Sequence, residues 1–258
     1  MVVAGNGMSD LAAFCVLLRR LSDRRGLDIH DLSDVAELPE SEVEAVLNGT
    51  VPSSSFLQRI APALGLHAAD LFVIAGVPVP EEMAPLDSRA GALVPVLAQY
   101  AVGLSRESRR RLLEIVRSLP QHDRTQPVPE PKVYERYPSG FGGMLLRMLG
   151  NRNLNLWNSA AALARLTGGR VYLSASTVGL VGRGRKEITP DLLGGFAIVL
   201  GMPTDDLAAL GEIEIAEEHS SSANPALADA AELIWELRRL TAEQVRQLRD
   251  ETNSMRLE

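Results

Sequence analysis

The stretch of sequence that decides the fold spans residues 158–186 and reads NSAAALARL, then TGGRVYL, then SASTVGLVGRGRK. The Ala- and Leu-rich first piece and the last piece, which opens on Ser, predict two short helices, and the Gly-Gly pair between them predicts a turn. The surrounding run 136–186 carries eight cations and no Asp or Glu, whereas the whole chain has a formal net charge of −7. Positive charge around a short Ser/Thr-rich helix is expected of a surface that meets phosphates.

The composition indicates a soluble, helical protein with room for more than one domain. Its 258 residues suffice for two domains of ordinary size. Hydrophobic residues make up 46% and charged residues 23% of the chain, which is unlike a disordered protein, and aromatics at only 4% favour helices over sheets. Lysine occurs only at positions 132 and 186, a preference for Arg that is typical of a GC-rich genome.

The residue types that catalysis or metal binding needs are missing or scattered. Cys15 is the one cysteine, which excludes an internal disulfide and a multi-cysteine zinc site. The four histidines lie far apart, and no phosphate-loop, dinucleotide or nucleophile–base pattern occurs. We therefore expect a protein that is not an enzyme and that uses no cofactor and no metal.

The hydrophobic runs and the first residues predict the location. No apolar run reaches the roughly eighteen residues of a membrane span. The first ten residues lack the positive region of a signal peptide. We expect a cytoplasmic, nucleoid-associated protein without a membrane partner.

Five short helices are predicted before residue 80. The first has an apolar stripe from Leu11 to Leu21 at 3.6-residue spacing, and the pair Ser9–Asp10 is expected to cap it. Pro39 suits the first turn of the third helix, which should run from Glu40 to Leu47. The other predicted helices begin at Asp28, Ser53 and Ala68.

The order and spacing of these helices resemble the lambda-repressor/Cro-like (XRE-type) helix-turn-helix domain over about residues 9–77. The residues that carry the resemblance are Leu32, Val35, Ala36, Leu38, Pro39, Val43, Val46, Leu47, Asn48, Gly49, Leu57, Ile60, Ala61, Leu64, Gly65, Leu66, Asp70 and Leu71. Members of this family place the second helix of the motif in the major groove of DNA. The resemblance therefore implies a helix-turn-helix bundle and a role in the regulation of transcription.

The second half of the chain repeats the first. Leu64-Gly65-Leu66 matches Leu200-Gly201-Met202 at an offset of 136, and Leu104-Ser105 matches Leu240-Thr241 at the same offset. Val43 and Val46 match Val178 and Val181 at an offset of 135. Such matches at nearly one offset indicate an internal duplication.

The predicted fold is all-α, with two five-helix helix-turn-helix bundles in tandem, each followed by a helical hairpin. Ser105 and the capping box Thr241–Gln244 should begin the last helix of each hairpin. The expected domains are 9–80 for the first bundle, 88–120 for its hairpin, 121–137 for a Pro-rich linker, 138–215 for the second bundle and 223–258 for its hairpin.

The second copy departs from the family at its central turn. The segment between Ala164 and Val178 is about seven residues longer than the equivalent segment between Ala36 and Val43 in the first copy. The excess falls on residues 167–173. Gly168 and Gly169 could form the tip of a small β-hairpin there. A longer turn changes how the recognition helix is presented, which puts the usual docking geometry in doubt.

The two copies differ in the charge of the helix that would meet DNA. In the first copy that helix carries Glu40, Glu42 and Glu44, which would repel phosphates by ~1–4 kcal/mol for each close pair of like charges. The first copy is therefore expected to keep the fold without reading bases, although its first helix could touch a phosphate backbone through Arg19, Arg20, Arg24 and Arg25.

In the second copy, short hydroxyl side chains begin the recognition helix and cations follow it. Asn158 has two interpretations, a helix cap or a phosphate contact, and the cations could simply form a solvated face. Trp157 and Trp235 are expected in the core or at a hairpin interface. The predicted DNA-contacting residues are Arg152, Asn158, Arg170, Ser174, Ser176, Thr177, Arg183, Arg185 and Lys186.

The leading hypothesis is a transcriptional regulator that binds double-stranded DNA through its second bundle. The first bundle would serve dimerisation or partner binding, as a homodimer or as a pseudo-dimer within one chain. The rival hypothesis is a helix-turn-helix scaffold that binds a protein partner and no DNA. A ligand-sensing regulator is a third option, for which no residue indicates the ligand.

Overall fold

The computed structural model describes residues 7–124, 127–215 and 224–255, without the side chains of residues 7–13 and Tyr134. Within these ranges every regular element is helical and no strand occurs, so the predicted all-α class is confirmed. The α-helices are α1 (Gly7–Arg25), α2 (Ile29–Ala36), α3 (Glu40–Leu47), α4 (Ser54–Ala63), α5 (Ala68–Ile74), α6 (Val94–Val102), α7 (Arg106–Ser118), α8 (Phe141–Asn151), α9 (Leu156–Leu166), α10 (Ala175–Gly182), α11 (Pro190–Leu200), α12 (Thr204–Gly211), α13 (Pro225–Leu237) and α14 (Ala242–Met255).

Contacts divide the chain into two units. The first unit comprises the residues up to Met83 together with Asp206–Glu214, and the second comprises Ala84–Asp205 and the residues from Ile215 onward. The hairpin predicted at 88–120 therefore lies in the second unit, with the second bundle and the second hairpin. Much of α12, from the second half of the sequence, lies in the first unit.

The first unit is built around α1 to α5. Phe14, Leu18 and Leu21 of α1 are fully buried, as their 3.6-residue spacing requires. Helix α1 begins at Gly7, before the pair Ser9–Asp10 that was expected to cap it. Left-handed Gly26, with φ of 63°, follows its last residue. The apolar faces of α2 and α4 pack against each other, and α3 packs on α1 and α2.

In the second unit the two helical hairpins pack together. Helix α6 contacts α13, α14 and α9, and α7 contacts α13. The Arg109 guanidinium, 8% exposed, donates from Nε to Asp229 of α13 at 2.7 Å and from Nη1 to the Leu104 carbonyl at 2.6 Å. Arg117, two turns further along α7, pairs with Glu232 at 2.7 Å. Buried apolar surface thus joins the hairpins, and these ion pairs set the alignment of α7 on α13.

Both predicted hairpin caps are confirmed. The Ser105 hydroxyl accepts a hydrogen bond from the Ser108 amide at 3.1 Å and begins α7. At α14 the Gln244 side chain accepts from the Thr241 amide at 3.0 Å, and the Thr241 hydroxyl accepts from the Gln244 amide at 3.3 Å. This reciprocal pair is the capping box predicted from the sequence.

Asp87 ties the entry of the first hairpin to the second hairpin. Its carboxylate accepts from Arg89 Nε at 3.0 Å, from the Arg89 amide at 3.0 Å and from the Ala242 amide at the start of α14 at 2.9 Å. The Arg89 hydrogen bond, assisted by these amides, lowers the pKa of Asp87 from 3.8 to about 2. The bonds favour the ionised form and therefore stabilise the folded state.

The helix order recurs along the chain. Helices α10, α11 and α12 begin 135 or 136 positions after α3, α4 and α5. The long turn between α9 and α10 is not a β-hairpin: residues 167–171 form turns and bends, residues 172–174 are irregular, and α9 continues to Leu166. The Thr167 hydroxyl donates to the Leu163 carbonyl at 2.7 Å and accepts from the Val171 amide at 3.0 Å, which folds the turn back on the helix.

Helix α10 approaches α8 so closely that no side chain fits between them. A Cβ added to Gly142 would lie 2.0 Å from the Val181 carbonyl oxygen. A Cβ on Gly182 would lie 2.6 Å from the Tyr137 ring and 3.0 Å from Leu146. Two glycines, one on each helix, therefore fix the depth at which α10 sits in the second unit.

The Asp87 contacts predict a pH-dependent stability difference between the wild type and Asp87→Asn. The lowered pKa corresponds to at most about 2 kcal/mol, fully present above pH 3.8 and lost as the pH falls through about 2. Urea unfolding at a series of pH values should show the two proteins converging in acid. Asp123→Asn, at an exposed site, is the matched control, and a gap independent of pH would contradict the assignment.

The α8–α10 contact predicts opposite effects for two glycines of one helix. Gly142→Ala should destabilise the second unit by about 2 kcal/mol or more, because the added Cβ overlaps a backbone oxygen. Gly150→Ala, with open space around its Cβ, should stabilise it by about 0.5–1 kcal/mol through helix propensity. Urea denaturation followed by circular dichroism measures both, and equal effects would show that the close approach does not matter.

Candidate nucleic-acid interface

Helix α10 presents a polar outer face over a buried inner one. Ala175, Val178 and Val181 are buried against α8 and α9. The Ser174 hydroxyl caps the helix by accepting from the Thr177 amide at 3.2 Å. Exposed Ser176 and Leu180 lie one turn apart, and Arg183 follows on the same side after the helix ends.

The hydroxyl groups predicted to contact DNA lie together. Ser174 Oγ is 2.7 Å from Ser176 Oγ and 2.9 Å from Thr177 Oγ1. The three side chains thus form a hydrogen-bonded group at the positive end of the helix dipole. Their oxygens can rotate to meet a base edge or a phosphate.

The predicted cations follow at the other end of α10. Arg183 is half-buried and donates from Nη1 to the Gly179 carbonyl at 3.1 Å, whereas Arg185 and Lys186 are exposed. Gly184, with φ of 67°, turns the chain so that the cations are presented after the helix. Because eight helical residues span roughly 12 Å, the hydroxyl group and the basic group lie at separate ends of one face.

The long turn adds a further cation. Val171 is 6% exposed, and its Cγ2 lies 3.0 Å from the position of a Cβ on Gly195 of α11. This buried valine anchors the turn, while Arg170 before it is exposed and donates from Nε to the Thr167 carbonyl at 3.3 Å. In the described part of the chain, no carboxylate lies within ion-pair distance of Arg170, Arg185 or Lys186.

Arg152 does not belong to this surface. Its side chain is fully buried and donates to the Met148 carbonyl at 3.0 Å and to the Leu200 carbonyl at 2.6 Å. Its guanidinium also lies 5.2 Å from the centre of the Trp235 ring. A buried guanidinium that satisfies the ends of α8 and α11 cannot reach a phosphate, so the predicted DNA contact at Arg152 is wrong.

Asn158 is not the cap of α9, and its predicted phosphate contact stays a prediction. The cap of α9 is Asn155, whose side chain accepts from the Asn158 amide at 3.0 Å. The Asn158 side chain is half-buried, with Nδ2 3.2 Å from the position of a Cβ on Gly91. The Asn-rich segment before α9 contained the correct cap three residues upstream.

The remaining cations of the acid-free run have local partners. Arg136 pairs with Glu130 at 3.4 Å, and Arg147 donates to the Tyr137 carbonyl at 3.5 Å. Arg165 donates to the Gln99 side chain. We define the α10 surface as Arg170, Ser174, Ser176, Thr177, Leu180, Arg183, Arg185 and Lys186, the part of the run that remains at or near α10.

Exposed apolar side chains near α10 were not predicted from the sequence. Trp157 is 76% exposed, so the expectation of a core position is wrong, and Tyr172 is 83% exposed. Leu156, next to Trp157 in the sequence, packs on α10 with Cδ1 3.5 Å from the position of a Cβ on Gly179. Trp235, in contrast, lies against the guanidinium of Arg238 at 3.9 Å, inside the second unit.

The equivalent helices of the first unit have the opposite charge. Glu40 and Glu44 of α3 are exposed, and the His30 imidazole of α2 donates from Nδ1 to Glu40 at 2.8 Å. This hydrogen bond, followed by the charge of Asp34, raises the pKa of His30 above 6.5.

The α1 cations proposed as backbone contacts are already engaged. Arg20 pairs with Glu212 at 2.8 Å, Arg24 and Arg25 pair with Asp206 at 3.5 Å and 2.7 Å, and Arg19 donates to the Leu47 carbonyl at 3.1 Å. A phosphate backbone would have to compete with these contacts for the cations of α1.

Comparisons with known proteins add no further assignment: no family model, curated protein or solved structure matches the chain. Among the described residues, no group of three or more His, Cys, Asp or Glu side chains is arranged to hold a metal ion. No single helix in those ranges is long and apolar enough to cross a membrane, although two bent helix pairs pass on length and composition.

The positions of the two tryptophans predict different accessibility to a soluble quencher. Acrylamide should quench Trp235→Phe, which keeps the exposed indole of Trp157, more strongly than Trp157→Phe, which keeps the Trp235 indole beside the guanidinium groups of Arg152 and Arg238. Fluorescence quenching of the two folded variants measures this directly. Equal quenching would show that Trp157 is covered.

Proposed function

We propose that this chain is a DNA-binding transcriptional regulator built from two tandem helix-turn-helix bundles, in which the α10 surface contacts double-stranded operator DNA. The first bundle then provides dimerisation or partner binding. The observation that carries the proposal is the charge of the α10 surface. Arg170, Arg185 and Lys186 are exposed, and no described carboxylate lies within ion-pair distance of them in a chain of net charge −7.

The layout of that surface suits contact with a duplex. Short hydroxyl side chains at the start of a recognition helix reach base edges in the helix-turn-helix mode. Cations after the helix and on the preceding turn are suited to phosphates, which fix register rather than sequence. Leu180, 39% exposed on the same face, can contact a thymine methyl group.

Close packing against the second unit holds α10 in place, so that its outer side chains are presented in a fixed arrangement. Two glycine contacts hold α10 against α8 and the Tyr137 ring, and Val171 anchors the lengthened turn in the second unit. A recognition element held by backbone contacts loses little conformational entropy on binding.

The rival proposal is a protein-interaction module on the same scaffold. It is favoured by Trp157 and Tyr172, because exposed aromatic side chains are enriched in protein interfaces. The lengthened turn and the ion-paired arginines of the first unit favour it as well. The two proposals predict different results with DNA: a regulator should bind duplex DNA with an affinity that falls as salt is added, whereas a protein-interaction module should not bind it.

Salt titration with genomic duplex fragments tests the function. About four cations of the α10 surface predict a slope near −3.6 in log K against log salt, which is a roughly 150-fold loss of affinity between about 50 and 200 mM. A dimer that presents two such surfaces should lose more. Absence of binding to any fragment at low salt would leave the protein-interaction module as the function.

A triple substitution tests the site. Arg183→Ala with Arg185→Ala and Lys186→Ala should abolish DNA binding, because it removes most of the phosphate contacts while leaving the helical circular-dichroism signal and melting unchanged. Glu40→Gln with Glu42→Gln and Glu44→Gln is the matched triple change in the first unit and should barely weaken binding. Intact affinity in the first variant would show that DNA binds elsewhere. Arg185→Ala with Lys186→Ala avoids the half-buried Arg183 and should reduce both affinity and slope.

A further inference from the structure

The first unit carries the electrostatic counterpart of the α10 surface. Residues 26–58 contain seven acidic residues and no Arg or Lys. This segment includes α2 and α3, the helices that α9 and α10 repeat in the second half. The duplicated motif therefore occurs in one chain with two opposite charges.

The acidic residues form a surface across two helices. His30 joins them, since its Nδ1 lies 2.8 Å from Glu40 of α3 and its Nε2 lies 3.6 Å from Asp34 of α2. Asp34 is 71% and Glu40 56% exposed, and Val35 between the acids is 63% exposed. We define the acidic surface as Asp34, Val35, Glu40 and Glu44, all of them exposed; Glu37 next to them pairs with Arg59 at 3.5 Å and is left out.

Each surface combines charge with exposed apolar side chains. The acidic surface has Val35, and the α10 surface has Leu180. Apolar groups surrounded by charged residues are the arrangement of a protein interface, in which the apolar centre loses water and the charged rim aligns the partners.

We propose that the α10 surface of one molecule binds the acidic surface of a second copy of this chain. Every copy carries both surfaces, so the complementary partner is always present at the same concentration as the protein. Opposite charges then steer the encounter and fix its register. This inference goes beyond the proposed function, because the contact requires no DNA.

The contact would also regulate DNA binding by occlusion. Arg185 and Lys186 cannot meet phosphates and the carboxylates of a second copy at once. Duplex DNA should therefore compete with self-association. As the protein concentration rises, self-association should lower the apparent affinity of the protein for DNA. In this contact the carboxylates of α2 and α3 would take the positions that DNA phosphates occupy when the α10 surface binds DNA.

A charge-swap experiment without DNA tests the proposal. Wild-type protein should self-associate in sedimentation velocity at about 0.05 M salt and dissociate at about 0.5 M, where the screening length is short. Glu40→Lys with Glu44→Lys leaves the acidic surface with Asp34 as its one carboxylate beside two new cations, and Arg185→Glu with Lys186→Glu leaves the α10 surface with two cations and two carboxylates, so that each variant lacks one of the two charged surfaces and keeps the other. Each variant alone should associate at least ~10-fold more weakly than the wild type, and their equimolar mixture should recover association.

The controls make each outcome decisive. Arg106→Glu with Arg111→Glu reverses two exposed cations on α7 and should leave association unchanged. If a reversal variant loses its helical signal, Glu40→Gln with Glu44→Gln replaces it. Wild-type protein that stays monomeric at low salt, variants that associate like the wild type, or a mixture that stays monomeric would each overturn the contact.

The proposed function fails independently of this contact. DNA binding that is lost in the Arg185→Glu, Lys186→Glu variant and kept in the Glu40→Lys, Glu44→Lys variant supports the DNA site whatever the association state. Self-association without affinity for any duplex would support the proposed contact and contradict the proposed role as a DNA-binding regulator.

Discussion

The second unit depends on the absence of side chains where α8 and α10 cross. Gly142 brings its backbone against the Val181 carbonyl, and Gly182 accepts the ring of Tyr137. With a larger residue at either position, α10 would move outward and its inner residues Val178 and Val181, now fully buried, would lose their packing. Because the inner side of α10 is buried against α8, the opposite side of the helix faces solvent.

The charges that distinguish the two helix pairs lie at surface positions and not in the packed interior. The recurring helix pair is acidic in α2–α3 and basic around α10, although the buried positions of both pairs are mostly apolar. Burial constrains the inner face, so surface positions are free to carry either charge. Two surfaces of similar backbone and opposite charge are the simplest result of that freedom.

The sequence predicted the helical class, the helix order and several caps, because these follow from local periodicity and side-chain hydrogen bonding. Ser105 and the Thr241–Gln244 box are examples. It did not predict which cations are exposed. Arg152 and Arg185 look alike in a charged run, but Arg152 meets the Leu200 carbonyl 48 residues away, a contact that no local pattern encodes. The exposure of Trp157 depends in the same way on which side of α9 faces the core.

The exchange of segments between the two units has a consequence for how the chain can be divided. The first hairpin packs with the second one, and Asp206–Glu214 packs with the first unit. Severing the chain in the Pro-rich segment after α7 would strip each fragment of helices that cover its hydrophobic interior. Each half of the chain therefore relies on the other for part of its packing.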